Sequence, residues 1–147
     1  MMGTKTRRVI AQAAAAALLV GGGVVLASPA QAASSHCSVG YFCIWRDKDF
    51  QTDGVGTSLK SIYYSLANYA GSYYSGTSFS ANDSASSFWN RSGTSQSVYI
   101  YKYADAGGVS FKVPAGSGRN NLATSLDPAL WNDTISSAYF QAYDPHH

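Results

Sequence analysis

One stretch of this chain occurs twice, and the repetition constrains the fold more than any other feature. Asn82-Asp83-Ser84-Ala85-Ser86-Ser87 returns as Asn132-Asp133-Thr134-Ile135-Ser136-Ser137. An aromatic, strand-like run precedes each copy: Ile44-Trp45-Arg46-Asp47 before the first, Ile100-Tyr101-Lys102-Tyr103 before the second. The first unit is the longer one. Its excess falls where Tyr63, Tyr64, Tyr69, Tyr73 and Tyr74 crowd among Ser, Ala, Asn and Gly. Neither unit is large enough to bury a core alone, so the two are expected to pack as two β-sheets around one interior.

Composition agrees with an all-β reading. The sequence holds no Glu, while 11 Tyr, 6 Phe and 3 Trp supply apolar surface to bury. Such a balance disfavours long helices and suits strands and turns. Strands are expected over Tyr41 to Asp47, Val55 to Ile62 after the Asp53-Gly54 turn, Ser86 to Trp89, and Val98 to Tyr103. Gly107-Gly108 reads as a turn into Val109 to Val113, and Ile135 to Tyr143 closes the fold as a last strand or two. Leu126 to Trp131 reads as one helical turn, with Asp127 as N-cap and Pro128 at the first helical position.

The N-terminal segment belongs to export and not to the fold. Lys5, Arg7 and Arg8 precede an apolar run from Val9 to Ala27, and Ala30-Gln31-Ala32 presents a small-x-small cleavage pattern. Residues 1–32 are therefore expected to be a secretory signal peptide, with a secreted, extracellular domain over 33–147. Its two units are expected at about 37–93 and 94–143. Three of the ten Lys and Arg lie in the signal, which leaves seven against eight Asp and turns a formal +2 into −1. A chain without a basic surface is excluded from nucleic-acid binding, and after cleavage from membrane association. It is expected to be a monomer.

Cys37 and Cys43 are the only cysteines, and export to an oxidising compartment predicts a disulfide between them. The short loop they close limits its contribution to about 2 kcal/mol.

The repeated stretch carries chemistry as well as shape. An Asp carboxylate, a neighbouring Asn amide and a hydroxyl three residues on can converge in a tight turn. They offer hard oxygens, which suit Ca²⁺ and not a soft metal. One carboxylate per copy points to affinities on the order of 10⁻⁵ to 10⁻³ M.

These residues resemble the Asn/Asp-Asn/Asp-x-x-Ser/Thr-Ser signature of βγ-crystallins, a two-sheet sandwich of two Greek-key motifs. The preceding strands are similar to that fold's aromatic-x₄-aromatic-x-Gly hairpin. Trp45 and Phe50 fit in the first hairpin, with Thr52 in place of Gly; Tyr101 and Gly108 fit in the second, with Ala106 in place of the aromatic. The resemblance implies two possible Ca²⁺ sites, pairing Asp83 with Ser86 and Asp133 with Ser136, beside Asn82 and Asn132. A carbonyl near Tyr103 would complete the first and one near Asp47 the second, while Ser87 and Ser137 would be structural.

Cys-x₅-Cys running into Tyr41-Phe42-Cys43-Ile44-Trp45, behind a signal peptide, resembles more specifically the secreted bacterial peptidase inhibitor family I36. That resemblance implies a proteinaceous inhibitor of thermolysin-type metalloproteinases, with a secreted protease as partner. It also implies an inhibitory loop held by a further disulfide, for which this sequence has no cysteines. Tyr63 to Tyr74 and Val113 to Asn121 are the candidate loops. The first has the Tyr, Ser, Gly and Asn content of adaptable binding surfaces, or its tyrosines fill the space between the sheets. The alternative function is a non-inhibitory, calcium-binding extracellular module that holds protein or glycan through Tyr63, Tyr64, Tyr69, Tyr73 and Tyr74.

An enzyme is not expected. His36 precedes the first strand, and His146 and His147 stand at the C-terminal end, away from any nucleophile-base pairing. Neither a Gly-x-Ser-x-Gly elbow nor a phosphate-binding Gly-Lys-Ser/Thr loop occurs. Asp105 and Asp127 read as turn aspartates.

Overall fold

The structure is a computed structural model that describes residues 36–52, 59–93, 95–125 and 128–147. The signal segment, the Asp53-Gly54 turn with the start of the second strand, and the Asp127 cap lie outside these residues. Among them, eight strands form: β1 (Phe42–Trp45), β2 (Leu59–Ile62), β3 (Ser65–Leu66), β4 (Ser87–Asn90), β5 (Val98–Tyr103), β6 (Gly107–Val113), β7 (Gly118–Arg119) and β8 (Ser137–Phe140). Two short helices, α1 (Leu122–Ser125) and α2 (Pro128–Trp131), interrupt the second half.

The strands make two four-stranded sheets, ordered β2-β1-β4-β7 and β3-β8-β5-β6. All neighbouring strands within them pair antiparallel. The halves do not each own a sheet. β3, from the first unit, pairs with β8 of the second, and β7, from the second, pairs with β4 of the first. Each unit thus lends its third strand to the other, and neither sheet is complete without both.

Side-chain alternation along the strands explains the packing. Phe42 and Ile44 of β1, Phe88 of β4, Val98 and Ile100 of β5, and Ala138 and Phe140 of β8 point between the sheets into one core. Burying such a residue contributes roughly 1.5–3 kcal/mol. The opposite face of β1 is buried too, because Cys43 and Trp45 are covered by Cys37 and Phe50. Tyr99, Tyr101 and Tyr139 form the corresponding outer cluster in the second half. There the C-terminal residues act as the cover: His147 stacks on Tyr99 at 4.0 Å, and buried Asp144 accepts the Tyr101 hydroxyl at 2.7 Å.

Three local expectations are corrected. Gly107 and Gly108 are not the turn but the start of β6; the chain reverses through Asp105 and Ala106, both at positive φ (55° and 58°). Gly108 is needed there on two grounds: its φ is 75°, and a Cβ would come within 2.7 Å of the Tyr103 ring. The segment from Val113 to Asn121 is not a free loop. It contains β7, and Gly116 N and Ser117 O bond to the Asn90 backbone at 2.8 Å each. At Gly118 a Cβ would collide with the Phe88 carbonyl oxygen at 2.2 Å, so only glycine permits that approach. Finally, the end of the chain after β8 is a 3-10 turn, Gln141–Tyr143, and not a further strand.

Cys37 and Cys43 are bonded, six positions apart. The bond fixes the entry to β1, where Arg91 Nη1 also donates to the Cys37 carbonyl at 2.6 Å. The double variant Cys37→Ser/Cys43→Ser should remain folded and lose about 2 kcal/mol in urea denaturation. A loss of the whole transition would show that the bond organises more than the edge of β1.

Candidate functional site

The two Asn-Asp turns sit side by side and hold each other. Asp83 N donates to the Ile135 carbonyl at 3.2 Å, and Asp133 N donates to the Ala85 carbonyl at 3.1 Å. Both aspartates have positive φ, 50° and 54°. This is the left-handed region that Asn and Asp enter most readily among residues with a Cβ. The third residue of each turn closes it: Ser84 Oγ donates to the Ser80 carbonyl at 2.6 Å, and Thr134 Oγ1 donates to the Leu130 carbonyl.

The last serine of each motif ties its turn to a hairpin. Ser87 Oγ donates to the Asp47 carbonyl and Ser137 Oγ to the Tyr103 carbonyl, both at 2.7 Å, and both serines are wholly buried. The hairpins match as well. Asp49 and Phe50 take φ of 59° and 58°, like Asp105 and Ala106 in the other half. Phe50 packs on Trp45 with ring centroids 5.1 Å apart. Where Ala106 stands instead of an aromatic, the His146 ring lies 6.0 Å from Tyr101, and its Nε2 is 3.1 Å from the Ala106 carbonyl.

In the structure the aspartates and serines of the two motifs meet across the copies. Asp83 does not meet Ser86 of its own copy but Ser136 of the other, with Ser136 Oγ 2.7 Å from Asp83 Oδ1. Reciprocally, Ser86 Oγ lies 3.3 Å from Asp133 Oδ1. The pairing crosses because the two turns lie back to back, so each serine leaves its turn toward the other's carboxylate. Asn82 and Asn132 orient these groups, each giving an amide hydrogen to the neighbouring aspartate's Oδ2 at 2.6 and 2.7 Å.

Around Asp83 the oxygens are the more tightly gathered. Ser136 Oγ is 2.7 Å from the carboxylate and 2.9 Å from the Lys102 carbonyl, so two acceptors share one hydroxyl proton. A carboxylate, a carbonyl and a hydroxyl meeting this way form a hard-oxygen donor set, with neither sulfur nor imidazole in it. They border a cleft of about 270 Å³ that also reaches Tyr103, Asp133 and Thr134. Two carboxylates, Asp83 and Asp133, border this cleft, and among the described residues no group of three or more His, Cys, Asp or Glu gathers.

The five tyrosines expected on one binding face are dispersed. Tyr69 and Tyr74 are 0% and 1% exposed and fill the core, a correction that follows from their position at the base of a loop that must be anchored. Tyr63 and Tyr64 are exposed at one end of the sandwich, and Tyr73 is exposed on a hairpin at the other. Tyr74 links that hairpin to the first turn by accepting a hydrogen bond from Ser84 Oγ at 3.2 Å. Helix α1 has a signal in the sequence, Asn121 before Leu122: Asn121 Oδ1 accepts the Ala123 amide at 3.0 Å, a short-side-chain cap.

Burial, and secondarily the Asp133 charge, pushes the Tyr74 hydroxyl up to about 12, against the lowering effect of Ser84. A raised value means that the folded state holds its proton longer than the unfolded chain. The stabilisation is therefore complete below the ordinary tyrosine value near 10 and fades as pH rises through about 12. Urea unfolding of the wild type should show stability falling from about pH 10 upward. Tyr74→Phe should flatten only part of that fall, because burial also raises Tyr69, Tyr101 and Tyr139.

No curated protein matches the chain. Among solved structures, one from work on the evolution of the eye-lens βγ-crystallin domain fold is similar with a TM-score of 0.53 and 20% identity, over 70% of this chain and 86% of that one. A βγ-crystallin from Ciona intestinalis aligns at 19% identity with a TM-score of 0.48, over 69% of this chain and all of that one. With the exchanged third strands and paired turns, the first likeness shows the βγ-crystallin fold. The model of peptidase inhibitor family I36 matches residues 30–113, more than half of the sequence, and the chain belongs to that family.

Proposed function

We propose that this protein is a secreted inhibitor of thermolysin-type metalloproteinases and that it engages the enzyme through the hairpin Tyr73–Ser80. The family supports a protease inhibitor; the hairpin carries the finer reading. An inhibitor must present an ordered segment, because ordering a loose one on binding consumes the contact energy. Tyr73 and Ser80 pair, and Tyr74 N donates to the Phe79 carbonyl at 3.0 Å. Thr77 closes the tip, its N and Oγ1 both 3.1 Å from the Tyr74 carbonyl, while Ala81 N bonds to the Ser72 carbonyl at 2.8 Å. Buried Tyr69, Tyr74 and Ala81 anchor the base. These bonds supply the rigidity that a second disulfide would otherwise give.

The hairpin offers two aromatic anchors, Tyr73 and Phe79, about half exposed at 54% and 52%. The Arg46 guanidinium sits 4.1 Å from the Phe79 centroid and holds one face of the ring, leaving the other for an apolar pocket. Titrating the mature protein against a thermolysin-type enzyme with a small peptide substrate should give stoichiometric inhibition at submicromolar protein. Phe79→Ala should weaken inhibition at least tenfold with an unchanged melting temperature. Absence of inhibition at about 10 μM, roughly −7 kcal/mol, would remove this enzyme class as the target.

Calcium binding is the second reading, favoured by the oxygens converging at Asp83. Asp83, Ser136 and the Lys102 carbonyl would hold one ion, and Asp133 with Ser86 a second, weaker one. A bound ion would tie the two halves together where their turns already meet. Calcium at a hundredfold over Kd should stabilise the fold by about 2.7 kcal/mol. Asp83→Asn should remove more of that gain than Asp133→Asn, as read by thermal melts in calcium against chelator. Equal melts with and without calcium would leave the turns purely structural.

A further inference from the structure

The sandwich end opposite the paired turns carries a groove that neither inhibition nor calcium uses. β1 runs from Tyr41 at this end toward Arg46 at the other, and Phe140 N bonds to the Tyr64 carbonyl here at 3.0 Å. The groove is lined by Gly40, Tyr63, Tyr64, Gln96, Phe140 and Tyr143, with a volume of about 130 Å³. Three tyrosine rings of its lining follow one another, Tyr63 to Tyr64 at 4.2 Å and Tyr64 to Tyr143 at 5.0 Å, and Tyr41, outside the lining, continues the row at 5.2 Å from Tyr63. Three of them, Tyr63, Tyr64 and Tyr143, are about half exposed.

The polar element is Gln96. Its backbone carbonyl is pinned by Asn90 Nδ2 at 2.9 Å and Ser92 Oγ at 2.7 Å, yet its side-chain oxygen is buried without a donor. A buried acceptor left unpaired is costly, and a ligand donor reached by rotating the amide would relieve it. No lining residue is charged, so neither an anion nor a cation finds a counter-charge. The volume is below that of drug-sized pockets and suits a single ring. Half-exposed tyrosine rings beside an unpaired carboxamide oxygen match a pyranose, which has an apolar face and hydroxyl donors at its edge.

We propose that this groove binds a neutral oligosaccharide, one pyranose ring packing against the Tyr64 and Tyr143 rings, which meet edge to face at 66°, and giving a hydroxyl hydrogen to Gln96. The site is separate from the hairpin proposed for protease binding, so the two readings fail independently. Cellotriose, chitotriose and mannotriose should be titrated into the mature protein to about 10 mM, following the tyrosine ring signals by NMR. At least one is expected to shift Tyr64 and Tyr143. Tyr64→Ala, Tyr143→Ala and Gln96→Ala should each weaken it, the tyrosine variants at least tenfold. Tyr64→Phe should retain most of the binding, and all variants should keep the wild-type melting temperature and protease inhibition. The proposal is overturned if none of the three sugars moves these rings, or if the alanine variants bind unchanged. Tetramethylammonium moving the rings where sugars do not would equally overturn it, in favour of a cation cage.

Discussion

Two aspartate amides, each bonded to a carbonyl of the opposite turn, hold the centre of this protein. Asp83 to Ile135 and Asp133 to Ala85 place the duplicated turns back to back, and much of the remaining architecture follows from that contact. With the turns locked, Ser87 and Ser137 reach the Asp47 and Tyr103 carbonyls and fix the two hairpins. The third strands then fall beside the other unit's sheet. Positive φ at both aspartates is the conformational cost of the arrangement, and reciprocal hydrogen bonding offsets it.

The outer faces show how two equivalent problems received different solutions. Every first strand has a second face that water would otherwise reach. In the first half Cys43 and Trp45 are covered by a disulfide-held entry segment and by Phe50. In the second half Ala106 is too small to cover Tyr101, and Asp144, His146 and His147 take over through hydrogen bonds and ring contacts. The halves also diverge between third strand and turn. There the second has α1 and α2, and the first has the hairpin Tyr73–Ser80. Internal symmetry serves the fold, and the departure from it provides the exposed aromatic anchors on which inhibition is proposed to rest.

Much of this was legible beforehand, for identifiable reasons. The alternation in β1 and β5 is carried by strongly apolar residues, and Val98 to Tyr103 emerges as a six-residue strand. The disulfide was fixed because two cysteines allow one pairing. The tyrosine-rich segment was harder to read, because tyrosine is at home in a core or on a surface. Its sequence neighbours do not distinguish Tyr69 or Tyr74 from Tyr73. Gly107-Gly108 is ambiguous because glycine commonly marks turns, whereas here the reversal runs through Asp105 and Ala106 at positive φ, with Gly108 also at positive φ just inside β6.

The sequence by itself determined that two copies of one β unit share a core, and which carboxylates and hydroxyls stand at their turns. Periodicity and repetition are local properties, and they survive without knowledge of the partner. Tertiary structure alone decided the partners: Asp83 with Ser136, β3 with β8, β7 with β4, and a tyrosine groove assembled from segments far apart in the chain. Two nearly equal copies can pair within themselves or across the axis. Only the packing of the whole sandwich brings the crossed groups within hydrogen-bond reach.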